Sequence, residues 1–328
     1  MRALRLDCDS VIIGGGLAGL AASMRLPGRT LLLSGGLGAT ALSGGVLSPP
    51  GGDPEAEAWF LGSMEDTGCR YVRGECSMAS RAIKSGLVQA STLYEGGAVF
   101  VSINEECPGF RPIEFKKGCS HQEIARILDL DDGAAAELAG RLSGLGADRL
   151  LLPPVLGIER ADEIRAGLSA ALGAEVGEYV SAPSVLGLRL LTALRKKAAG
   201  SDGLEMLDIV TVERAAGGRV EGRMGTKAKR EIIVEANNLF LATGGPLTGF
   251  EVAGDRLFEP LTGSTVSDDF EADLNGKFLS GHPLMYKGIG PEPFIDGFKN
   301  VRAIGAVACG FGLYKALVSG YRAGEGLE

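Results

Sequence analysis

The sequence predicts an α/β fold: a parallel sheet carrying an antiparallel meander, interrupted by a second α/β domain. Three observations predict it. Val11-Ile12-Ile13 runs into Gly14-Gly15-Gly16 and then into Leu17-Ala18-Gly19-Leu20-Ala21-Ala22. A second apolar run, Thr30-Leu31-Leu32-Leu33, follows at the spacing of the next parallel strand. Later, alternating segments lead into Asn238-Leu239-Phe240-Leu241-Ala242-Thr243-Gly244-Gly245, an apolar strand closing in a small-residue turn.

The first stretch is the strand, tight turn and helix start of a dinucleotide-binding βαβ unit. Gly14 allows the sharp turn out of the strand, and at Gly16 the missing side chain lets a pyrophosphate approach the backbone; Gly15 is counted among the same cofactor contacts. Gly19 brings the helix close to the strand. The amides of Leu17 and Ala18 then open a helix whose first turn favours phosphate. The end of the second strand usually carries Asp or Glu for the ribose hydroxyls. Here that place is Ser34-Gly35-Gly36, and Ser34 hydrogen-bonds with less pull than a carboxylate.

The chain has 328 residues, 45% hydrophobic and 23% charged, enough for one large or two intertwined domains. Its formal net charge of −8 argues against nucleic acid as the main partner, while an anionic small substrate needs only a local basic pocket. No apolar run reaches the ~18 residues of a membrane span, and Met1 to Ser10, with charges on both sides of a short apolar patch, is not expected to act as a cleavable leader. The expectation is a cytoplasmic protein, with membrane contact only peripheral or through a partner. Six cysteines (Cys8, Cys69, Cys76, Cys107, Cys119, Cys309) lack any CxxC pair, and the histidines are two, His121 and His282. Reduced packing cysteines and no metal site are expected.

After the second strand, 38–46 is rich in small and hydroxyl residues. Ser43, Gly44 and Gly45 are suited to lie flat on a planar ring, with a plain linker as the alternative. Periodicity predicts helices over 54–66, 79–93, 122–142, 160–172 and 183–199, the last opening on Pro183-Ser184 and ending near Lys196 and Lys197. Short strands are expected over 98–101 and 149–152. Residues 204–214, 219–224 and 230–235 read as a three-stranded antiparallel meander. Lys227, Lys229 and Arg230 are most cheaply a solvated strand edge.

Meander, strand and the Ala242-Thr243-Gly244 turn, in this order, recur in FAD-binding proteins. Asn300-Val301-Arg302-Ala303-Ile304-Gly305-Ala306 adds a last strand and turn, and Gly310-Phe311-Gly312 opens the C-terminal helix, 313–322. The expectation is a Rossmann-like FAD-binding sheet over 1–47, 181–249 and 296–328. A second domain for substrate or partner covers 48–180 and 250–295. An Asp usually follows the glycine of the last turn; here it is Ala306.

The chain resembles a flavoprotein family, the B-type subunit of anaerobic glycerol-3-phosphate dehydrogenase. The likeness lies in the glycine motif, Leu42-Ser43-Gly44-Gly45, Ile124-Ala125-Arg126-Ile127-Leu128-Asp129, residues 151–157, Pro183-Ser184-Val185-Leu186-Gly187-Leu188-Arg189-Leu190, Glu259-Pro260 and Ala303-Ile304-Gly305. The resemblance implies FAD or FMN as cofactor, a related FAD-containing catalytic subunit, and an iron–sulfur subunit leading electrons to a quinone. It implies oxidation of sn-glycerol 3-phosphate to dihydroxyacetone phosphate.

Oxidising a secondary alcohol requires hydride departure to the flavin and removal of the hydroxyl proton. His282, in a Gly-His-Pro turn before the last strand, is the candidate base, a structural histidine being the alternative. A substrate phosphate needs Arg or Lys, and Arg189, Arg256 and Lys287 are candidates. Arg189 reads equally as an ion-paired helix residue. Two rival functions stay open: another flavin enzyme, fumarate-reductase-like or ketosteroid-dehydrogenase-like, and a non-catalytic electron-transfer or assembly subunit.

Overall fold

The computed structural model describes residues 2–47, 52–65, 67, 78–83, 86–91, 97–182, 185–245, 248–269 and 286–327. His282, Pro183, Ser184, Cys69 and Cys76 lie outside the described residues. The chain forms two compact units, one of Met1–Thr40, Leu47–Thr67 and Ala193–Glu328, the other of Ala41–Val46 and Gly68–Thr192. The described residues of 250–295, expected in the second domain, fall within the first unit, and Ala41–Val46, expected in the first, falls within the second.

The first unit is organised by Leu4–Ile13, whose last four residues are buried. It pairs in parallel with Thr30–Ser34 on one side and Arg230–Leu241 on the other. Leu204–Asp208 extends the sheet in parallel beyond Thr30–Ser34, and Asn300–Ala303 pairs in parallel with Arg230–Leu241. Both faces of a parallel sheet are covered, so its strands read as continuous apolar runs, as Val11-Ile12-Ile13 and Leu31-Leu32-Leu33 do.

The meander is real but differently cut. Residues 204–214 are not one strand. The chain breaks at Ile209, a β-branched residue held at φ 58°, so that Leu204–Asp208 joins the parallel sheet. Only Val210–Ala216 turns antiparallel to Arg219–Met224. The third arm is a single strand, Arg230–Leu241, whose first half pairs antiparallel with Arg219–Met224 while the whole runs parallel to Leu4–Ile13. Alternation shows a half-covered strand without naming its partner, which is why this segment read as two strands.

The second unit holds a four-stranded parallel sheet in the order Arg111–Ile113, Val99–Ile103, Arg149–Leu152, Glu175–Glu178. Val101, Ile103, Leu150 and Leu152 pack with Ile124, Leu128, Leu138, Leu142, Ile164 and Leu168 from three helices. The helix expected over 122–142 is two, His121–Leu130 and Asp132–Ser143. Asp131 at their junction is extended and caps the second through Gly133 N–H. Ser120 and Glu123 form a reciprocal capping box on the first. Ala161–Leu172 and Val185–Ala199 are helical as expected.

Over 79–93, where a helix is expected, the described residues form strands. Met78–Ile83 and Gly86–Ser91 form an antiparallel pair, and the latter pairs with Val180–Ala182. The partner strand contributed from 180–182 overrides a helical spacing that has no local cap to defend it.

Candidate functional site

The carboxyl edge of the first unit's sheet gathers the ends of five strands: Ile13, Ser34, Asp208, Leu241 and Ala303. Open α/β sheets bind ligands at this edge. Gly14 leaves the first strand at φ 122°, and a β-carbon there would collide with the Ala242 carbonyl. Ala242 N–H donates to the Ile13 carbonyl at 2.8 Å, so the two strand ends are stitched together. The helix Leu17–Ser23 is fully buried, and a β-carbon on Gly19 would collide with the Gly14 carbonyl. These are the tight turn and close helix approach that the motif predicts.

Gly15 faces the end of the second strand. A β-carbon there would lie 2.6 Å from Ser34 Oγ and 3.5 Å from Arg195 Nη1. Gly16 is open except for Thr40, whose Oγ1 would be 3.2 Å from such a carbon. That hydroxyl accepts the Leu17 N–H at 3.0 Å and is held in a residue only 7% exposed. Ser34 is buried and donates to the Gly36 carbonyl at 3.1 Å, and Gly35 lies against the Val210 carbonyl.

The last turn meets the first helix. A β-carbon on Gly305 would lie 2.7 Å from that of Ala18, and Gly320 of the C-terminal helix Leu313–Tyr321 leaves no room for one against Ala18. Ser319 Oγ accepts Gly305 N–H at 2.8 Å. Ala306 begins the short helix Ala306–Cys309 and lies beside Gly245, as does Phe311. Gly310 N–H donates to the Ala306 carbonyl at 3.0 Å. Thr243 follows the central strand end, its hydroxyl oxygen buried and without a hydrogen-bond partner among the described residues. Gly244 is packed against Thr248. Burial raises the Cys309 thiol pKa against the pull of Lys315, which leaves it a protonated packing group.

Glycine turn, Thr243 turn and Gly305 turn thus stand on one edge. A buried hydroxyl without a partner among the described residues and the bare Cα face at Gly16 suit the phosphate and polar ring edge of a nucleotide-type group. Thr40, Arg195 and Asp208 were not singled out from the sequence. Thr40 lies in the hydroxyl-rich stretch that could have flagged it. Arg195 carries no local signal, since only the sheet brings the end of its helix to Ser34.

Other candidates are placed elsewhere. Ser43, Gly44 and Gly45 lie in the second unit, with Gly44 against Val180 and Gly45 against Leu186. Arg189 is committed to structure. Its Nη1 and Nη2 donate to Glu178 at 2.5 and 3.0 Å, and its Nε donates to the Gly157 carbonyl at 2.6 Å. Glu178 Oε1 also accepts the Val155 and Leu156 N–H groups, both at 2.8 Å. Of the two readings of Arg189, the network is that of the ion-paired helix residue, and its guanidinium serves the 155–157 turn rather than standing free for a phosphate. Arg256 is exposed and donates to Thr265 Oγ1 and the Gly263 carbonyl; Lys287 donates to Ser267 Oγ. Both therefore reach the strand Thr265–Ser267. No group of three or more metal-ligating side chains occurs among the described residues. Among those residues, too, no helix is long and apolar enough to cross a membrane.

No family model matches this chain. Among curated proteins, it is 29% identical over 257 residues to the B-type subunit of anaerobic glycerol-3-phosphate dehydrogenase from Yersinia enterocolitica, covering 73% of this chain and 58% of that protein. It is 32% identical over 246 residues to the probable counterpart of that subunit in Halobacterium salinarum, covering 65% and 57%. Among solved structures, the apo Mycobacterium smegmatis Sdh1 complex aligns at 13% identity over 98% of this chain and 68% of that one, with a TM-score of 0.41, a value too low to carry an argument. The chain matches only a little over half the length of these curated relatives. The resemblance drawn from the sequence holds: over part of their length, this chain is similar to the B-type subunits of anaerobic glycerol-3-phosphate dehydrogenase.

Proposed function

We propose that the chain is a flavin-dependent oxidoreductase subunit acting on glycerol 3-phosphate, alongside an FAD-containing catalytic subunit and an iron–sulfur subunit. One observation carries the flavin: the glycine turn, the orphaned Thr243 hydroxyl and the Gly305 turn share one sheet edge, with Ala18 packed against Gly305. The substrate and partners come from the names of the relatives and from the resemblance. FAD and FMN both fit this reading, and so does a place at the inner face of the membrane through partners.

In this reading the backbone of 14–18 and the Thr40 hydroxyl hold the phosphate end, while Thr243, Gly244, Gly305, Ala306, Gly310 and Phe311 line the ring end. A bound flavin supplies the hydride acceptor. His282 is the candidate for taking the substrate hydroxyl proton at an imidazole nitrogen. Arg256 and Lys287 are the remaining candidates for the substrate phosphate, each acting as a cationic donor.

The test is the absorption spectrum of the purified chain, followed by addition of glycerol 3-phosphate without oxygen. A yellow flavin spectrum that bleaches with glycerol 3-phosphate supports the reading. Bleaching by fumarate-linked or steroid donors instead would move it to another flavin enzyme. Flavin that stays oxidised until the partner subunits are added would make the chain an electron-transfer subunit. A colourless chain with no affinity for added flavin would end every enzymatic version. His282→Ala is expected to keep flavin and lose bleaching, and unchanged bleaching would remove His282.

A further inference from the structure

The end of the second strand holds an arrangement that the glycine motif does not predict. The usual carboxylate is replaced by Ser34, buried and adjoining Gly15. Beside it stands the guanidinium of Arg195, carried by the helix Val185–Ala199, with Nη1 within 3.5 Å of the position a Gly15 β-carbon would take. Arg195 is not loose. Its Nη2 donates to Asp208 Oδ2 at 2.6 Å. Asp208 ends the strand that pairs with Thr30–Ser34, in register with Ser34 itself. The Arg195 side chain is 27% exposed, so it is anchored yet reachable. A carboxylate at this place accepts hydrogen bonds from ribose hydroxyls, whereas an arginine there accommodates a phosphate.

We infer that Arg195, oriented by Asp208, is a specificity-determining residue that selects nucleotides bearing a phosphomonoester beside Gly15 over those presenting a free ribose diol. The inference rests on the glycine turn being the phosphate end of the nucleotide site proposed above. A phosphomonoester reaches this place in two ways. It is the terminal phosphate of a flavin mononucleotide lying in the Gly14–Gly16 turn, or the 2′-phosphate of an adenosine nucleotide. In either case the monoester concentrates about two charges on one phosphorus, against one on each phosphorus of a dinucleotide's pyrophosphate bridge. The fork of Arg195 matches two phosphate oxygens, which a lysine does not.

The test is equilibrium binding by calorimetry on the whole chain. The ligands are FMN, FAD and riboflavin, together with adenosine 2′,5′-bisphosphate and adenosine 5′-monophosphate. Wild type is expected to prefer FMN to riboflavin, or the bisphosphate to the monophosphate. Arg195→Gln should weaken the preferred phosphomonoester about tenfold or more while changing FAD and riboflavin less than about twofold. Arg195→Lys should recover only part of the loss. Asp208→Asn, which leaves the cation in place but frees it, should give a smaller loss in the same ligands. A melting curve for each variant separates lost recognition from lost folding, and Asp208→Asn carries the test if Arg195→Gln does not fold.

The two ligand sets separate the sources, since only one of them should respond to Arg195. Equal weakening of all ligands, or none, overturns the inference. FMN and FAD binding alike and indifferent to Arg195 would leave the flavin reading standing and remove this one. An Arg195-dependent response confined to the adenosine bisphosphate, with no flavin bound, would do the reverse. No binding by any of the five would remove both.

Discussion

Gly14 shows how a single residue fixes the site. Its φ of 122° is open to glycine and strained for other residues, and its Cα faces the Ala242 carbonyl with no room for a methyl group. Gly14→Ala is therefore expected to cost about 2–3 kcal/mol, through left-handed strain and overpacking together. Urea denaturation measures it, and a cost below about 0.5 kcal/mol would show that the turn relaxes freely. Thr40 works at the same scale. By accepting the Leu17 N–H it settles a buried donor that the first turn of a helix otherwise leaves open. The sequence made the first of these residues legible and not the second, because a glycine cluster is a local pattern and a hydroxyl arriving from 23 positions away is not.

At the scale of elements, Arg189 ties a helix to a strand end and a turn. The pair it makes with Glu178 is nearly buried, at 12% and 11% exposure, and the carboxylate also collects two backbone N–H groups. A buried pair of this kind adds little when complete and costs much when halved, because one charge is then left in a low-dielectric interior. Arg189→Met is expected to lower stability by about 3 kcal/mol. A urea midpoint within error of wild type would show that water reaches Glu178 and that the network is only decorative. Spacing made Ala161–Leu172 and Val185–Ala199 legible, while the caps at Ser120 and Asp131, which divide 122–142 into two helices, went unread. The misread segment 79–93 had spacing without caps, and strands from elsewhere in the chain decided it.

Across the first unit, segments far apart in sequence are joined by a charged latch. Arg322 donates through Nε and Nη2 to the two oxygens of Asp53, 269 residues away, at 2.8 and 2.9 Å. Asp53 also caps the helix Pro54–Glu65 through Ala56 N–H, and its own N–H donates to the Tyr314 hydroxyl at 2.6 Å. Trp59 and Arg25 close on the Tyr321 ring beside it. The Arg322 hydrogen bonds, followed by the cap, hold the Asp53 carboxyl below its ordinary pKa. A depressed folded-state pKa means that the stabilisation is complete above the unfolded value, about 4, and is lost as pH falls through the folded value. Thermal melts from pH 7 down to pH 2 should show Asp53→Asn less stable at neutral pH, with the two curves converging in acid. Parallel curves would mean that the latch contributes nothing ionic.

The sequence by itself determined the kind of fold, the glycine turn, the Ala242-Thr243-Gly244 turn, most helices and the likeness to the dehydrogenase's B-type subunit. Each of these is written in neighbours along the chain: an apolar run, a glycine, a cap, a characteristic string. Tertiary structure alone decided that residues 204–208 extend the parallel sheet and that Arg189 belongs to Glu178. It alone brought Thr40 to the Leu17 amide and Arg195 with Asp208 to the place of the missing carboxylate. These depend on which strands lie side by side, and that follows from burying the whole set of apolar faces at once rather than from any local pattern.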